Sequence, residues 1–256
     1  MRFREILKKC LHNKSFITGS CMIGLMLLIM VVGFFYLPYD PDAMDTPNKL
    51  QFFSAAHPLG TDQFGRDILS RIMEGTRVSF LVGALTVVFG LVVGGTIGSI
   101  AGYYGGKIDE VIMKLIDTQM AFPGVLLALM LIAVFGNSLQ NLILALGVMS
   151  IPRFARISRS GFIKYRDAEF IKAARSRGAG TAALSSCISC QYCARADRHQ
   201  LLGFAGAVMS EAGLSYLGLG IQPPTPSFGK MLSEAQAEIL QAGWYVLVPA
   251  VASPCW

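Results

Sequence analysis

Three cysteines fall within seven residues, at Cys187, Cys190 and Cys193, and His199 follows six positions after the last. Thiolates two residues apart are the raw material of zinc and iron–sulfur sites, so the spacing admits a metal or redox module. Against that, only one such cluster is present, with no second pair at zinc-finger distance. His12, His57 and His199 are too scattered to complete a ligand set. A second group is charged: Asp62, Arg66 and Asp67 lie within six residues, beside Thr61. Gly60 and Gly65 permit tight turns there, which predicts a hydrogen-bonded cap of opposite charges. Glu211 is the third, a lone carboxylate in the apolar run 201–221. A charge at that depth marks a functional path, or else pairs with a neighbouring helix or sits near an interface. No G-x-x-x-x-G-K-[ST] loop occurs; Gly105-Gly106-Lys107-Ile108 lacks both the spacing and the hydroxyl, so any ATP chemistry belongs to other chains.

The elements that position these residues are set by lipid. Of 256 residues, 53% are hydrophobic and 15% charged, and mean hydropathy is +0.52, which excludes disordered, collagen-like and ordinary soluble classes. Residues 15–37 form one uncharged run long enough to cross a bilayer, too long for a signal-peptide core and without a small-residue cleavage site. Residues 78–106 form a second. Residues 118–152 are too long for one helix, and Gly136-Asn137-Ser138 predicts a hairpin between two. Residues 201–221 are a fifth candidate, and the stretch from Trp244 to Trp256 a short sixth. With the N-terminus in the cytoplasm, alternate segments place 17 lysines and arginines inside and 5 outside, so the net charge of +6 is a topology signal. Charge divided among membrane loops does not suit nucleic-acid binding.

Gly90, Gly94, Gly98 and Gly102 recur every four residues in the second run. They share one helix face and leave a groove for another backbone, either as ordinary helix packing or as the lining of a path. In the cytoplasmic segment, good helix formers from Glu169 precede Gly178, predicting a short helix that ends near this glycine. Ala173 and Ala174 make a low patch rimmed by Lys172, Arg175 and Arg177, suited either to a partner's groove or to solvent.

That helix resembles the EAA loop of bacterial ABC-transporter inner-membrane permeases. Ala173, Ala174 and Gly178 match its Ala-Ala-x-x-x-Gly core, with Lys172 where the motif has glutamate. The run from His57 to Arg71, LGTDQFGRDILSR after His57-Pro58, is similar to the signature of the dipeptide, oligopeptide and nickel branch. Leu214-Ser215-Tyr216-Leu217-Gly218-Leu219-Gly220, followed by Gln222-Pro223-Pro224-Thr225-Pro226, is a third match. The resemblance implies an all-α, polytopic membrane protein of six-helix permease architecture. It divides as residues 1–37 (cytoplasmic N-terminus and first helix), 38–77 (extracytoplasmic loop) and 78–256 (permease core with the EAA-type loop near 160–182). It further implies a homologous second permease, two cytoplasmic ATPase subunits that bind ATP and Mg²⁺, and an extracytoplasmic solute-binding protein. The chain itself would be no enzyme and hold no cofactor or metal, lying in lipid in the bacterial inner membrane. Short peptides are the expected solute, with nickel or another small solute as the alternative. Residues Glu169, Lys172, Ala173, Ala174, Arg175 and Gly178 would couple to the ATPase, and Gly60, Thr61, Asp62, Gly65, Arg66 and Asp67 would form the outer signature loop.

The cysteine cluster falls where this resemblance breaks. After the EAA helix the family continues through a Leu-Pro turn into an apolar stretch, whereas here residues 194–200 are charged and polar. Were Ser186–Cys193 encoded TCC TGC ATA TCC TGC CAA TAT TGC, the frame set one base differently would read Leu-His-Ile-Leu-Pro-Ile-Leu. A frame-shifted passage over about 183–200 is therefore expected, with a second shift over residues 251–256, and these leave the fifth and sixth helices compromised. A divergent loop and a metal site are the alternatives. The chain as written is expected to integrate poorly and transport little.

Overall fold

A computed structural model describes residues 14–166, 168–178 and 197–252. The cysteines at 187, 190, 193 and 255, and the stretch 183–196 of the suspected frame-shifted passage, lie outside the described residues. Among the described residues the fold is all helical, without a strand, and apolar helices make it a polytopic membrane protein.

Helix α1, Lys14–Phe35, is about 33 Å long at 1.5 Å per residue, the thickness of a hydrocarbon core. Leu25, Leu28, Val31 and Phe34 are exposed while Met26 is buried, so most of its surface suits lipid. The 37-residue α2, Ile68–Tyr104, begins ten residues before the span expected from 78. Arg71, Glu74 and Arg77 hide this extension from a hydropathy reading. The structure absorbs their charge by burying Arg71 and laying the Arg77 guanidinium 4.2 Å over the Phe34 ring. At about 55 Å, α2 reaches well beyond the hydrocarbon.

The stretch 118–152 divides at Gly136, which adopts φ 91°, between α4 (Gly124–Phe135) and α5 (Leu139–Arg166). Asn141 Nδ2 donates to the carbonyls of Phe135 (2.7 Å) and Gly136 (3.0 Å), closing the hairpin. Two expected boundaries are corrected. The first arm is bent: residues 118–121 belong to α3, Gly106–Ala121, which meets α4 at 87°. Pro123 has no N–H to continue the ladder and forces Phe122 into an extended conformation (φ −84°, ψ 132°). The second arm passes through Pro152 and continues to Arg166.

Helix α6, Glu169–Ser176, ends just before Gly178 at φ 81°. Helix α7, Asp197–Tyr216, stops short of the expected 221. Gly218, at φ 81°, lets its N–H donate to the Ser215 carbonyl while that of Leu219 reaches Leu214; these two bonds satisfy the last free carbonyls and end the helix. Helix α8, Phe228–Ala237, is capped by Ser227, whose Oγ accepts from the Lys230 N–H. Helix α9, Gly243–Ala252, is about 15 Å long.

Among the described residues two helices, α1 and α2, are long and apolar enough to cross a membrane, and the bent α3–α4 pair makes a third if taken as one span. Helix α5 turns Leu142, Ala145, Leu146 and Phe154 into protein, which explains why its sequence is less uniformly apolar. The described residues form two compact units, one running to Leu81 and resuming at Ala212, the other Val82–Glu211. The first has a core of Met26, Ile68, Ile72, Phe228, Met231 and Tyr245, drawn from α1, α2, α8 and α9. The second is built on α2 against α5.

Candidate functional site

The signature run from His57 is a turn whose backbone admits only glycine at two points. Gly60 and Gly65 take φ 76° and 80°. A Cβ on Gly60 would lie 2.5 Å from the Gln51 carbonyl and the Trp244 ring, and one on Gly65 would overlap the Asp45 carbonyl. Thr61 is buried, bridged to Asp67, and its hydroxyl donates to Asn48 O (2.5 Å) while accepting from Gln51 N (2.9 Å). Asp62 Oδ1 accepts the N–H groups of Phe64 (2.8 Å) and Arg66 (2.9 Å). Its Oδ2 accepts Arg66 Nε at 2.6 Å, with Arg71 Nε at 3.7 Å.

Two further charges close this group. Arg66 Nη2 donates to Glu234 Oε2 at 3.0 Å, and Arg71 Nη2 lies 3.7 Å from the same oxygen. Asp62, Arg66 and Arg71 are almost wholly buried, with 0%, 4% and 1% exposure. Two guanidinium groups and two carboxylates thus form a neutral set, three of them buried and Glu234 at its edge with 11% of its side chain exposed, where each charge faces an opposite one. Asp67 does not join them. It accepts from Ser70 N and Oγ (2.8 Å each) and lies 2.9 Å from His57 Nδ1, while Ser70 Oγ accepts from Tyr39 N. The expected single cap is therefore two adjoining networks.

In the second unit the glycine face meets α5. Added Cβ atoms at Gly90 and Gly98 would overlap Ser150 Oγ and the Ala155 carbonyl; at Gly94 and Gly102 they would come 2.6 Å from Ile151 O and 2.7 Å from Phe162 Cβ. Gly95, off this face, has nothing within 4 Å. Near the same end of α5, Arg159 grips Asp109 of α3 with Nε and Nη2 at 2.5 and 2.6 Å, and Arg156 holds Asp117 at 2.5 Å. The hydrogen bonds that Arg159 donates to Asp109 push its pKa above the ordinary value.

Helix α6 is fastened through Ile171. Ile171 is buried with Phe162, against Tyr103 and Tyr165, at the ends of α2 and α5. Glu169, Lys172, Ala173 and Arg177 face outward, as does Gly178, and Ala174 and Arg175 complete the helix backbone. Glu211 is fully buried in α7 and partnered within the fold. Among the described residues no three His, Cys, Asp or Glu side chains group as metal ligands.

Sequence reasoning passed over Arg71, Ser70, His57 and Glu234. The first three lie inside the signature run, Ser70 and Arg71 within about one turn of Asp67 and His57 ten residues before it. Glu234 is 168 residues from Arg66, and no local pattern points to it.

A family model described as binding-protein-dependent transport system inner membrane component matches residues 94–187. One described as the N-terminal TM domain of oligopeptide transport permease C matches residues 2–54. The chain is 40% identical over 248 residues to the dipeptide transport system permease protein DppC of Alkalihalophilus pseudofirmus, covering 96% of this chain and 82% of that one. It is 34% identical over 247 residues to the DppC protein of Haemophilus influenzae, covering 94% and 84%. With the glutathione transport system permease protein GsiD of Pectobacterium atrosepticum, identity is 34% over 263 residues, covering 98% and 84%.

Proposed function

Since the chain belongs to the binding-protein-dependent inner-membrane permeases of the peptide branch, we propose that it carries short peptides inward across the membrane. Its relatives' names, dipeptide and glutathione permeases, support peptides as the solute. A permease subunit of this kind is not itself an enzyme. Two cytoplasmic ATPase subunits, a homologous second permease and an extracytoplasmic solute-binding protein complete the importer. The lack of a phosphate loop in the sequence supports assigning ATP and Mg²⁺ to the partners. The inside excess of 17 lysines and arginines over 5 supports a cytoplasmic N-terminus.

The observation that carries the coupling role is α6. Buried Ile171 ties it to the ends of α2 and α5, while Lys172 and Ala173 are exposed. A helix so placed transmits a push as a rigid body: closure of the ATPases on nucleotide moves α6, and with it the ends of the two long helices. The glycine face lets α2 and α5 answer together, because backbones in direct contact leave no compliant side-chain layer. Growth of a peptide-dependent auxotroph tests the solute. A strain whose only permease of this type is this chain with the family-like frame restored over 183–200 and 251–256, with its partner subunits, is expected to take up labelled dipeptide, and the chain as written to take up little. Uptake by the restored chain equal to that of the deletion strain refutes the peptide reading.

The frame-shifted passage accompanies this reading as a second proposal. The core family match stops at residue 187, inside the cysteine cluster, which supports it. Sequencing codons 183–200 and 251–256 decides it, since an alternative frame without an apolar, family-like continuation overturns it.

A further inference from the structure

The loop between α1 and α2 keeps one face free of charge. From Leu50 to Leu59 there is no acidic or basic side chain except His57, and His57 turns inward onto Asp67. Polar groups in this stretch are used internally. Gln51 N and O bond to Thr61, and Ser54 Oγ accepts from His57 N. What remains outside is apolar: Phe52 and Phe53 are 58% and 47% exposed, with Ala55, Ala56 and Pro58 also exposed. The two phenylalanine rings stand edge-on to Trp244, each 5.4 Å away, and the indole is seated over Gly60. Trp244 is the second residue of α9. Just before it Leu240 is 98% exposed, and the loop itself departs from α1 through Phe35 and Tyr36, both strongly exposed.

Such a face is unsuited to water and also to a soluble partner that must bind and leave, since it offers no charge for steering or register. It joins two helices, α1 and α9, at their ends. A tryptophan at a helix end with a lysine nearby is what the headgroup layer of a bilayer selects, and phenylalanines beside it add apolar area that the headgroup boundary buries; Lys49 is exposed at the start of the stretch. We propose that Phe52, Phe53 and Trp244 seat this loop in the phospholipid headgroup layer, holding the buried charge set at a fixed height above the hydrocarbon. The inference rests on membership in a membrane permease family, and on neither the solute nor the orientation.

The chain's 2 tryptophans make the test direct. Trp256→Phe leaves Trp244 as the only indole without touching the aromatic set. In phosphatidylethanolamine–phosphatidylglycerol vesicles, a spin label near the lipid carbonyls should quench Trp244 at least about twofold more than one near the acyl-chain ends. Iodide on both sides of the membrane should quench it weakly. The combination Phe53→Trp, Trp244→Phe and Trp256→Phe moves the reporter to the loop tip, and the same profile is expected. Strong iodide quenching without lipid-label quenching would show an aqueous face open to a soluble partner and overturn the proposal. Strongest quenching by the deep label would place the set in the hydrocarbon core and also overturn it.

Discussion

Asp62, Arg66 and Arg71 are buried against opposite charges, with Glu234 completing the set at its edge. Glu234→Gln leaves two guanidinium groups with one carboxylate, and loss of one partner from a buried pair costs about 3–5 kcal/mol. Glu110→Gln is the control: its partner Lys114 is mostly exposed, so the change should stay within about 0.5 kcal/mol. Thermal unfolding of the detergent-solubilised chain should separate the two, and equal shifts would refute the buried-set account. Arg159 and Asp109 are coupled across α3 and α5, so a double-mutant cycle with Arg159→Ala and Asp109→Ala should give an interaction of about 0.5–3 kcal/mol. At this scale the turn at Gly60 and Gly65 was legible in sequence, since glycines and short acids mark tight turns. The pairing was not: Asp67 took His57 and Ser70, and Arg66 took a carboxylate from a distant helix.

Among the helices, the glycine periodicity every four residues marks a face, and α5 is the surface that meets it. Gly98→Ala drives a methyl into the Ala155 carbonyl, an overpacking expected to cost about 1–3 kcal/mol. Gly95→Ala enters open space and should stabilise the helix by about 0.4–1 kcal/mol. Opposite signs in the same unfolding assay are the expected outcome; similar losses at both positions would contradict close backbone packing. Element boundaries were read well where backbone chemistry sets them, as at Gly136. They were misread where hydropathy alone was the guide. Arg71 and Arg77 hid the first turns of α2, and the apolar run through Phe122-Pro123 hid the bend between α3 and α4.

For the molecule as a transporter, α6 is the point to perturb. Ala173→Asp puts a charge on its outward face without touching Ile171, so in the frame-restored chain it should leave the amount in the membrane unchanged but lose the ATPase subunits on co-purification. Retention of normal ATPase binding and uptake would remove α6 from the coupling role. The class of molecule, its lipid solvent and its permease family follow from sequence alone, because hydropathy, charge bias and turn chemistry are local quantities summed along the chain. Tertiary structure alone decided which charges compensate which, that α5 fills the glycine groove, and that Trp244 joins Phe52 and Phe53. Those outcomes depend on surfaces brought together from distant parts of the chain, and a buried charge or a bare backbone is stable only once its partner has arrived.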